Sequence, residues 1–108
     1  MDAVEHGSAA SLFFVLSSMK KHFSIRISGV VQGVFFRAST KTKAHALGLK
    51  GYVKNDRDGS VYVEAEGEDK NLEEFIRWCR SGPERASVTS CEVNEGALKG
   101  FSNFVIER

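Results

Sequence analysis

The sequence predicts an α+β fold in which two helices pack on one face of an antiparallel sheet. Apolar and polar residues alternate in several segments, two other segments carry apolar residues at helical spacing, and glycine-containing turns separate them. The predicted order is β-α-β-β-α-β, followed by one more short strand. Both helices should lie on the same face of the sheet, because each has one apolar stripe and right-handed crossovers place them there.

Size and charge narrow the possible functions. The chain has 108 residues and a mass of 11.9 kDa, and 42% of its residues are hydrophobic, which is enough for one domain with a modest core. Fifteen basic and fourteen acidic side chains leave a net charge of +1. Such a balance creates no general attraction to nucleic acid or anionic lipid, so we predict neither partner.

The beginning of the chain differs in composition from the rest. Residues 1–18 are rich in small residues, and their one apolar run, residues 12–16, is too short to span a bilayer. Acidic residues precede this run, where a secretory signal would have positive charge. We therefore predict a flexible extension over residues 1–21 and a folded domain over residues 22–108, with Met19 as a candidate alternative start site.

The first half of the domain is predicted to be a strand, a glycine loop and a helix. The strand starts at His22, and its buried face consists of Phe23, Ile25 and Ile27. The buried face of the helix consists of Phe36, Thr40, Ala44 and Leu47. Gly48 suits the left-handed conformation that ends many helices.

The second half is predicted to be a hairpin, a helix and two strands. The hairpin begins at Tyr52, turns over residues 55–59 and buries Val61, Val63 and Ala65. The helix opens at residues 67–69, ends before Gly82-Pro83 and buries Leu72, Phe75, Ile76 and Cys79. Residues 88–93 form an irregular strand, which indicates a bulge or a twisted edge, and residues 104–106 form the last strand.

The loop before the first helix is a candidate anion site. It reads Gly-Val-Val-Gln-Gly-Val-Phe-Phe-Arg over residues 29–37. Unpaired N–H groups at a helix N-terminus attract anions, and the Arg37 guanidinium can bind two phosphate oxygens. A cation beside the positive end of a helix dipole is otherwise unfavourable. We therefore predict a small phosphorylated ligand.

The same loop also has a purely structural interpretation. Its glycines could serve only to turn the chain, while Arg37 pairs with a carboxylate. In that case the core would be filled by Val31, Val34, Phe35 and Phe36. Asn55 is likewise interpreted, from the residues alone, as a side chain that caps the turn at the end of its strand. Asp56 and Asp58 need be no more than turn carboxylates.

Covalent and metal chemistry are not predicted. Neither candidate segment contains Cys or His, and no base stands beside Ser28, Ser39 or Thr40. The three histidines are scattered, which argues against a metal cluster. Cys79 and Cys91 have neither metal-site nor redox spacing; buried, reduced cysteines of an intracellular protein are the simpler interpretation, with a disulfide as the alternative.

Two blocks of the sequence resemble the acylphosphatase family. Residues 29–37 are similar to the signature G-x-V-Q-G-V-x-F-R at every specified position. Residues 51–55, with residues 58–61, resemble the family's second block. The resemblance extends from His22 to Arg108, and so covers the whole predicted domain.

This resemblance implies a ferredoxin-like α/β sandwich that hydrolyses the carboxyl-phosphate bond of acyl phosphates without a metal or other cofactor. It implies water positioning for Asn55, in place of the turn cap, and phosphate binding by Arg37. We predict that the N–H groups of the loop complete the phosphate site, which then consists of Gln32, Gly33, Val34, Phe35, Phe36 and Arg37. Tyr52 and Asp56 differ from residues common in the family, which bears on substrate preference. We predict a cytoplasmic monomer. The alternatives are a non-catalytic acyl- or carbamoyl-phosphate-binding domain and an RNA-binding module of the same fold.

Overall fold

The computed structural model describes residues 19–108, so the predicted extension up to residue 18 lies outside the described part. Two helices and five strands follow the predicted order, which confirms the α+β, ferredoxin-like fold. They are β1 (Lys20–Val30), α1 (Phe36–Ala46), β2 (Lys50–Asn55), β3 (Val61–Glu68), α2 (Asp69–Cys79), β4 (Ser87–Gly96) and β5 (Phe104–Ile106).

The five strands form one mixed sheet in the order β4-β1-β3-β2-β5. The pairs β1/β3, β1/β4 and β2/β3 are antiparallel, as predicted, whereas β5 pairs parallel to β2. The antiparallel prediction is therefore wrong for β5. The reason is that residues 97–103, which we call the linker, carry the chain from one edge of the sheet to the other instead of reversing it in a hairpin.

Strand β1 begins two residues before the predicted domain boundary at His22. Lys20 and Lys21 continue the ladder with β3, where they pair with Glu68 and Gly67. The backbone N–H of Asp69 donates to the Met19 carbonyl at 3.0 Å, which ties the start of β1 to the start of α2. Because Gly67 and Glu68 pair with β1, they belong to β3. The helix α2, predicted to open at residues 67–69, therefore begins only at Asp69.

The core lies between the two helices and one face of the sheet. Its fully buried members include all the predicted strand residues of β3 and the predicted aromatic anchors of both helices. The buried core consists of Ile25, Ile27, Val31, Phe36, Ala44, Leu49, Val53, Val61, Val63, Ala65, Leu72, Phe75, Cys79 and Phe104. Cys79 and Cys91 are free thiols, and burial raises the pKa of both, so they pack as small apolar groups.

The predicted irregularity of β4 is confirmed as a slip in its pairing with β1. The register shifts by one residue between Ser28 and Gly29, and β4 is an edge strand. Gly29 has φ 127°, and a Cβ there would overlap the Ser87 carbonyl oxygen. Only glycine allows the two strands to approach so closely where β1 enters the loop.

The linker covers part of the sheet face opposite the helices. There Glu66, which is 6% exposed, accepts hydrogen bonds from the backbone N–H groups of Lys99 and Gly100 and lies 2.7 Å from His22 Nδ1. Sequence patterning indicates only a polar strand face at this point. The face is instead a buried polar cluster, because the linker supplies amide donors to a carboxylate that would otherwise face water.

Glu64 extends this cluster beside Glu66. It accepts hydrogen bonds from Lys99 Nζ at 2.8 Å and from the hydroxyls of Tyr52 and Tyr62 at 3.0 and 2.9 Å. These bonds lower its pKa, although burial alone would raise it. Both carboxylates are therefore held in the charged form.

The Glu66 carboxylate should make the fold acid-sensitive. Burial would raise its pKa, but the hydrogen bonds from the linker amides and His22 outweigh burial and lower it from 4.5. A carboxylate with a lowered pKa stabilises the fold above its unfolded pKa, and this contribution disappears as the pH falls through the lowered value. Glu66→Gln should lower the free energy of unfolding at neutral pH by about 1–3 kcal/mol and should flatten its decline in acid.

Urea unfolding of both proteins from about pH 7 down to about pH 3 measures this effect. Glu84→Gln, which alters an exposed carboxylate outside the cluster, is the matched control and should leave the pH profile unchanged. A profile of Glu66→Gln that parallels that of the unaltered protein would contradict the assignment.

Candidate active site

Residues 31–35 connect β1 to α1 and have the backbone form of an anion-binding loop. Gly33 and Phe35 have positive φ values of 77° and 62°. Turns of this kind direct neighbouring N–H groups toward one concave surface. Helix α1 then begins at Phe36; its N-cap has no side-chain hydrogen bond among the described residues, and its first turn has no acidic residue. Its first N–H groups therefore remain available to an anion.

The side chain of Gln32 fixes this loop against the β2–β3 turn. Its Nε2 donates to the carbonyl oxygens of Asp56 at 2.8 Å and Ser60 at 2.9 Å. These two bonds hold the loop next to the end of β2, where Asn55 lies. Gln32 thus positions the loop through its side chain, which leaves only its backbone N–H as a direct ligand donor.

A cleft of about 520 Å³ opens between the loop, the end of β2 and the end of β5. It brings together most of the predicted site residues from separate parts of the chain. Its lining consists of Val31, Gly33, Phe35, Phe36, Arg37, Ala38, Asn55, Ile106 and Arg108. Gln32 and Val34 do not line it; the Val34 side chain packs against the core.

Arg37 is half-buried in this cleft. Among residues 19–108, no carboxylate lies within 4.0 Å of its guanidinium, so the alternative of a structural ion pair finds no partner there. Asp56, the acidic residue next to Asn55 in sequence, pairs instead with Arg26, whose Nη1 lies 2.6 Å from Asp56 Oδ2. Within residues 19–108, the lining of the cleft contains two guanidinium groups and no carboxylate side chain.

Asn55 contributes a buried acceptor to the cleft. Its Oδ1 has no hydrogen-bond partner among the described residues. The turn is capped instead by Asp58, whose Oδ1 accepts from the Ser60 hydroxyl at 2.6 Å and the Ser60 N–H at 2.9 Å. Those bonds also lower the pKa of Asp58. Because buried polar atoms are nearly always paired, Asn55 Oδ1 is suited to accept from water or a ligand.

The sequence did not predict the exposure of Phe35 or the contribution of the end of the chain to the cleft. Phe35 is not a core residue, as the structural interpretation of the loop required, but is 76% exposed at the cleft, whereas Val31 and Phe36 are buried. Ile106 and Arg108 were not predicted as site residues. Their position depends on the parallel pairing of β5 with β2, for which the local sequence of β5 contains no signal.

Comparison with known proteins agrees with this arrangement. The family model for acylphosphatase matches residues 23–106. An acylphosphatase from Thermotoga maritima is 44% identical over 87 residues, which cover 81% of this chain and 97% of the relative. The chain belongs to the acylphosphatase family. It is accordingly an enzyme that hydrolyses acyl phosphates, as the two sequence blocks predicted.

Solved structures show the same relationship. The acylphosphatase of Bacillus subtilis superposes with a TM-score of 0.80 at 35% identity. The match covers 83% of this chain and 100% of the Bacillus subtilis chain. Full-length HypF in its phosphate- and nucleotide-bound form matches with a TM-score of 0.76 at 32% identity, over 84% of this chain but only 12% of HypF. The acylphosphatase fold thus occurs both alone and within a larger protein.

Two further observations concern residues 19–108 alone. Neither helix in this part of the chain is long and apolar enough to cross a membrane. The same residues contain no group of three or more His, Cys, Asp or Glu side chains arranged to hold a metal ion.

Proposed function

We propose that the amides of residues 32–36 and the Arg37 guanidinium bind the phosphoryl group of an acyl phosphate, while Asn55 orients the attacking water. The observation that carries this proposal is the buried Asn55 Oδ1, which has no hydrogen-bond donor among residues 19–108 and belongs to a residue that lines the same cleft as Arg37. Such an acceptor can take a hydrogen bond from a water molecule. This bond orients the water so that a lone pair of the water oxygen points toward phosphorus.

Charge supports the phosphate assignment. A phosphoryl dianion requires several donors at once, and the uncapped start of α1 and the forked guanidinium of Arg37 provide them from one side of the cleft. These donors belong to the folded backbone and to a half-buried side chain. They are therefore already oriented before the reaction begins, which is the main requirement for stabilising developing charge.

In the proposed reaction the water oxygen attacks phosphorus in line with the acyl oxygen. A new P–O bond forms, the bond from phosphorus to the acyl oxygen breaks, and its electron pair departs with the carboxylate. The water proton passes to a phosphoryl oxygen of the substrate. Because a carboxylate is a good leaving group, positioning and charge stabilisation suffice, and the reaction needs neither a strong base nor a metal.

Release of inorganic phosphate from benzoyl phosphate tests this mechanism. We expect equal rates with and without a chelator such as EDTA, since the chain's own donors carry the charge. Inorganic phosphate, the product, should inhibit competitively because it binds the same amides and Arg37. A rate that collapses in EDTA and returns with added magnesium would contradict the mechanism even though the reaction itself is hydrolysis.

In this proposal the enzyme acts as a cytoplasmic monomer.

The contacts of Tyr62 favour this function over RNA binding. Its hydroxyl donates to Glu64 at 2.9 Å, and the guanidinium of Arg26 lies 5.1 Å from its ring centroid. RNA-binding sheets of this topology need aromatic faces that are open to stacking bases. Tyr62 is thus engaged within the protein, and so is its neighbour on the same sheet face, Tyr52, whose hydroxyl donates to Glu64 at 3.0 Å. A domain that binds acyl phosphates without catalysis would bind inorganic phosphate but would release none from benzoyl phosphate.

A further inference from the structure

Two exposed apolar side chains line the cleft beside the proposed phosphate site. Phe35, in the loop, is 76% exposed, and Ile106, on β5, is 39% exposed. Their apolar neighbours in the lining, Val31 and Phe36, are almost completely buried and belong to the core. Phe35 and Ile106 therefore contribute little to the core and leave apolar surface exposed at the cleft that a substrate would enter.

The backbone of Phe35 makes its exposure more significant. Its φ of 62° lies in the left-handed region, and no other non-glycine residue among residues 19–108 has a positive φ. An L side chain is unfavourable in this region, where glycine is at home. Residues in strained conformations concentrate at ligand clamps and active sites. The loop thus exposes an aromatic ring to solvent at a position where glycine would remove both the backbone strain and the exposed apolar surface.

The cleft is also larger than a phosphoryl group requires. Its volume of about 520 Å³ lies in the range of sites for ligands of drug size. In an acyl phosphate the acyl group is bonded to the phosphoryl oxygen, so it must occupy the part of the cleft next to the amides. Phe35 belongs to the loop that carries these amides, and Ile106 lines the same cleft.

We infer that Phe35 and Ile106 form a binding site for the acyl group and give the enzyme a preference for apolar, especially aromatic, acyl phosphates. This inference rests on the proposed phosphate site. An aromatic acyl group would exchange water for contact with the Phe35 ring, whereas an acetyl group is too small to gain from it. The side chains act on the acyl group and therefore on specificity, and the phosphoryl chemistry stays with Arg37 and Asn55.

The test compares kcat/KM for benzoyl phosphate with kcat/KM for acetyl phosphate. Phe35→Gly should lower this ratio about 10-fold, as loss of an apolar contact does; any effect of the substitution on the loop amides acts on both substrates alike and cancels in the ratio. Phe35→Leu, which keeps an apolar side chain, should retain most of the ratio. Because glycine relieves the positive φ, Phe35→Gly should unfold at the same or a higher urea concentration, which separates lost specificity from lost folding.

Ile106→Ser should lower the same ratio by a smaller factor, about 3-fold, since less of its side chain is exposed. Leu98→Ser is the matched control, because Leu98 is 56% exposed but lies outside the cleft. An unchanged ratio in Phe35→Gly, or an equal fall for both substrates, would overturn the acyl site. Failure of inorganic phosphate to inhibit the unaltered enzyme would instead overturn the phosphate site itself, so the two failures are distinguishable.

Discussion

Arg37→Ala should lower kcat/KM for benzoyl phosphate by at least ~10²–10³-fold, the usual loss when one preorganised donor to developing charge is removed. Arg37 has no carboxylate partner within the described residues, so its guanidinium is available to phosphoryl oxygens. For the same reason its removal breaks no ion pair there, and urea unfolding should show little change. Steady-state hydrolysis together with an unfolding curve measures both expectations.

Arg37→Lys separates charge from shape. Lysine keeps the positive charge but lacks the planar fork that binds two oxygens at once. We expect the inhibition constant for inorganic phosphate to rise by at least ~10-fold, the effect of losing about 1.4 kcal/mol of binding. Arg77→Lys, on the exposed side of α2 and outside the cleft, is the matched control. Near-normal phosphate inhibition in Arg37→Lys would show that Arg37 acts as a simple charge or does not bind phosphate.

The elements of this fold are predictable because each buried face is encoded within its own segment. Ile25 and Ile27 alternate with polar residues in β1, and Leu72 and Phe75 recur at helical spacing in α2; all four are fully buried. Such patterns require no knowledge of the partner strand or helix. The anion loop is predictable for the same reason, since glycines, helix start and Arg37 are contiguous in sequence.

Contacts between distant segments were not predictable. The β3 residue Glu66 looks like any residue on a polar strand face, and it is buried only because the linker, more than thirty positions later, folds over it. The direction of β5 depends on the same crossing. Ile106 reaches the cleft only through its pairing with Val53. Period and turn chemistry contain no information about which edge of a sheet a short final strand will join.

The role of Asn55 was only partly predictable from the sequence. An asparagine before a turn is explained well by capping, and only the family resemblance favoured a role with water. The structure argues against capping by Asn55, because Asp58 caps the turn and Asn55 Oδ1 has no donor in the described part of the chain, whereas its role with water stays a prediction. Which of two adjacent polar residues closes a turn depends on rotamers and distances that sequence does not specify.

Asn55→Ala should therefore reduce turnover without weakening phosphate binding. Loss of the group that orients water should lower kcat by ~10²–10³-fold, a loss of the size found for other preorganised catalytic contacts. The amides of the loop and Arg37 remain in place, so the inhibition constant for inorganic phosphate should stay within about 3-fold. Asn94→Ala, on the exposed edge strand β4, is the matched control. A parallel loss of turnover and phosphate affinity would reassign Asn55 to binding.

The stability of Asn55→Ala provides an independent test. A side chain that caps the turn would cost about 1 kcal/mol or more when removed, as other capping groups do. Asn55 Oδ1 has no donor in the part of the chain that the structure describes and so contributes no such bond there; its removal should leave the free energy of unfolding unchanged or slightly higher. A large fall in kcat with no loss of unfolding free energy is the result expected if Asn55 acts in catalysis. Destabilisation in proportion to lost activity would show that Asn55 serves the hairpin instead.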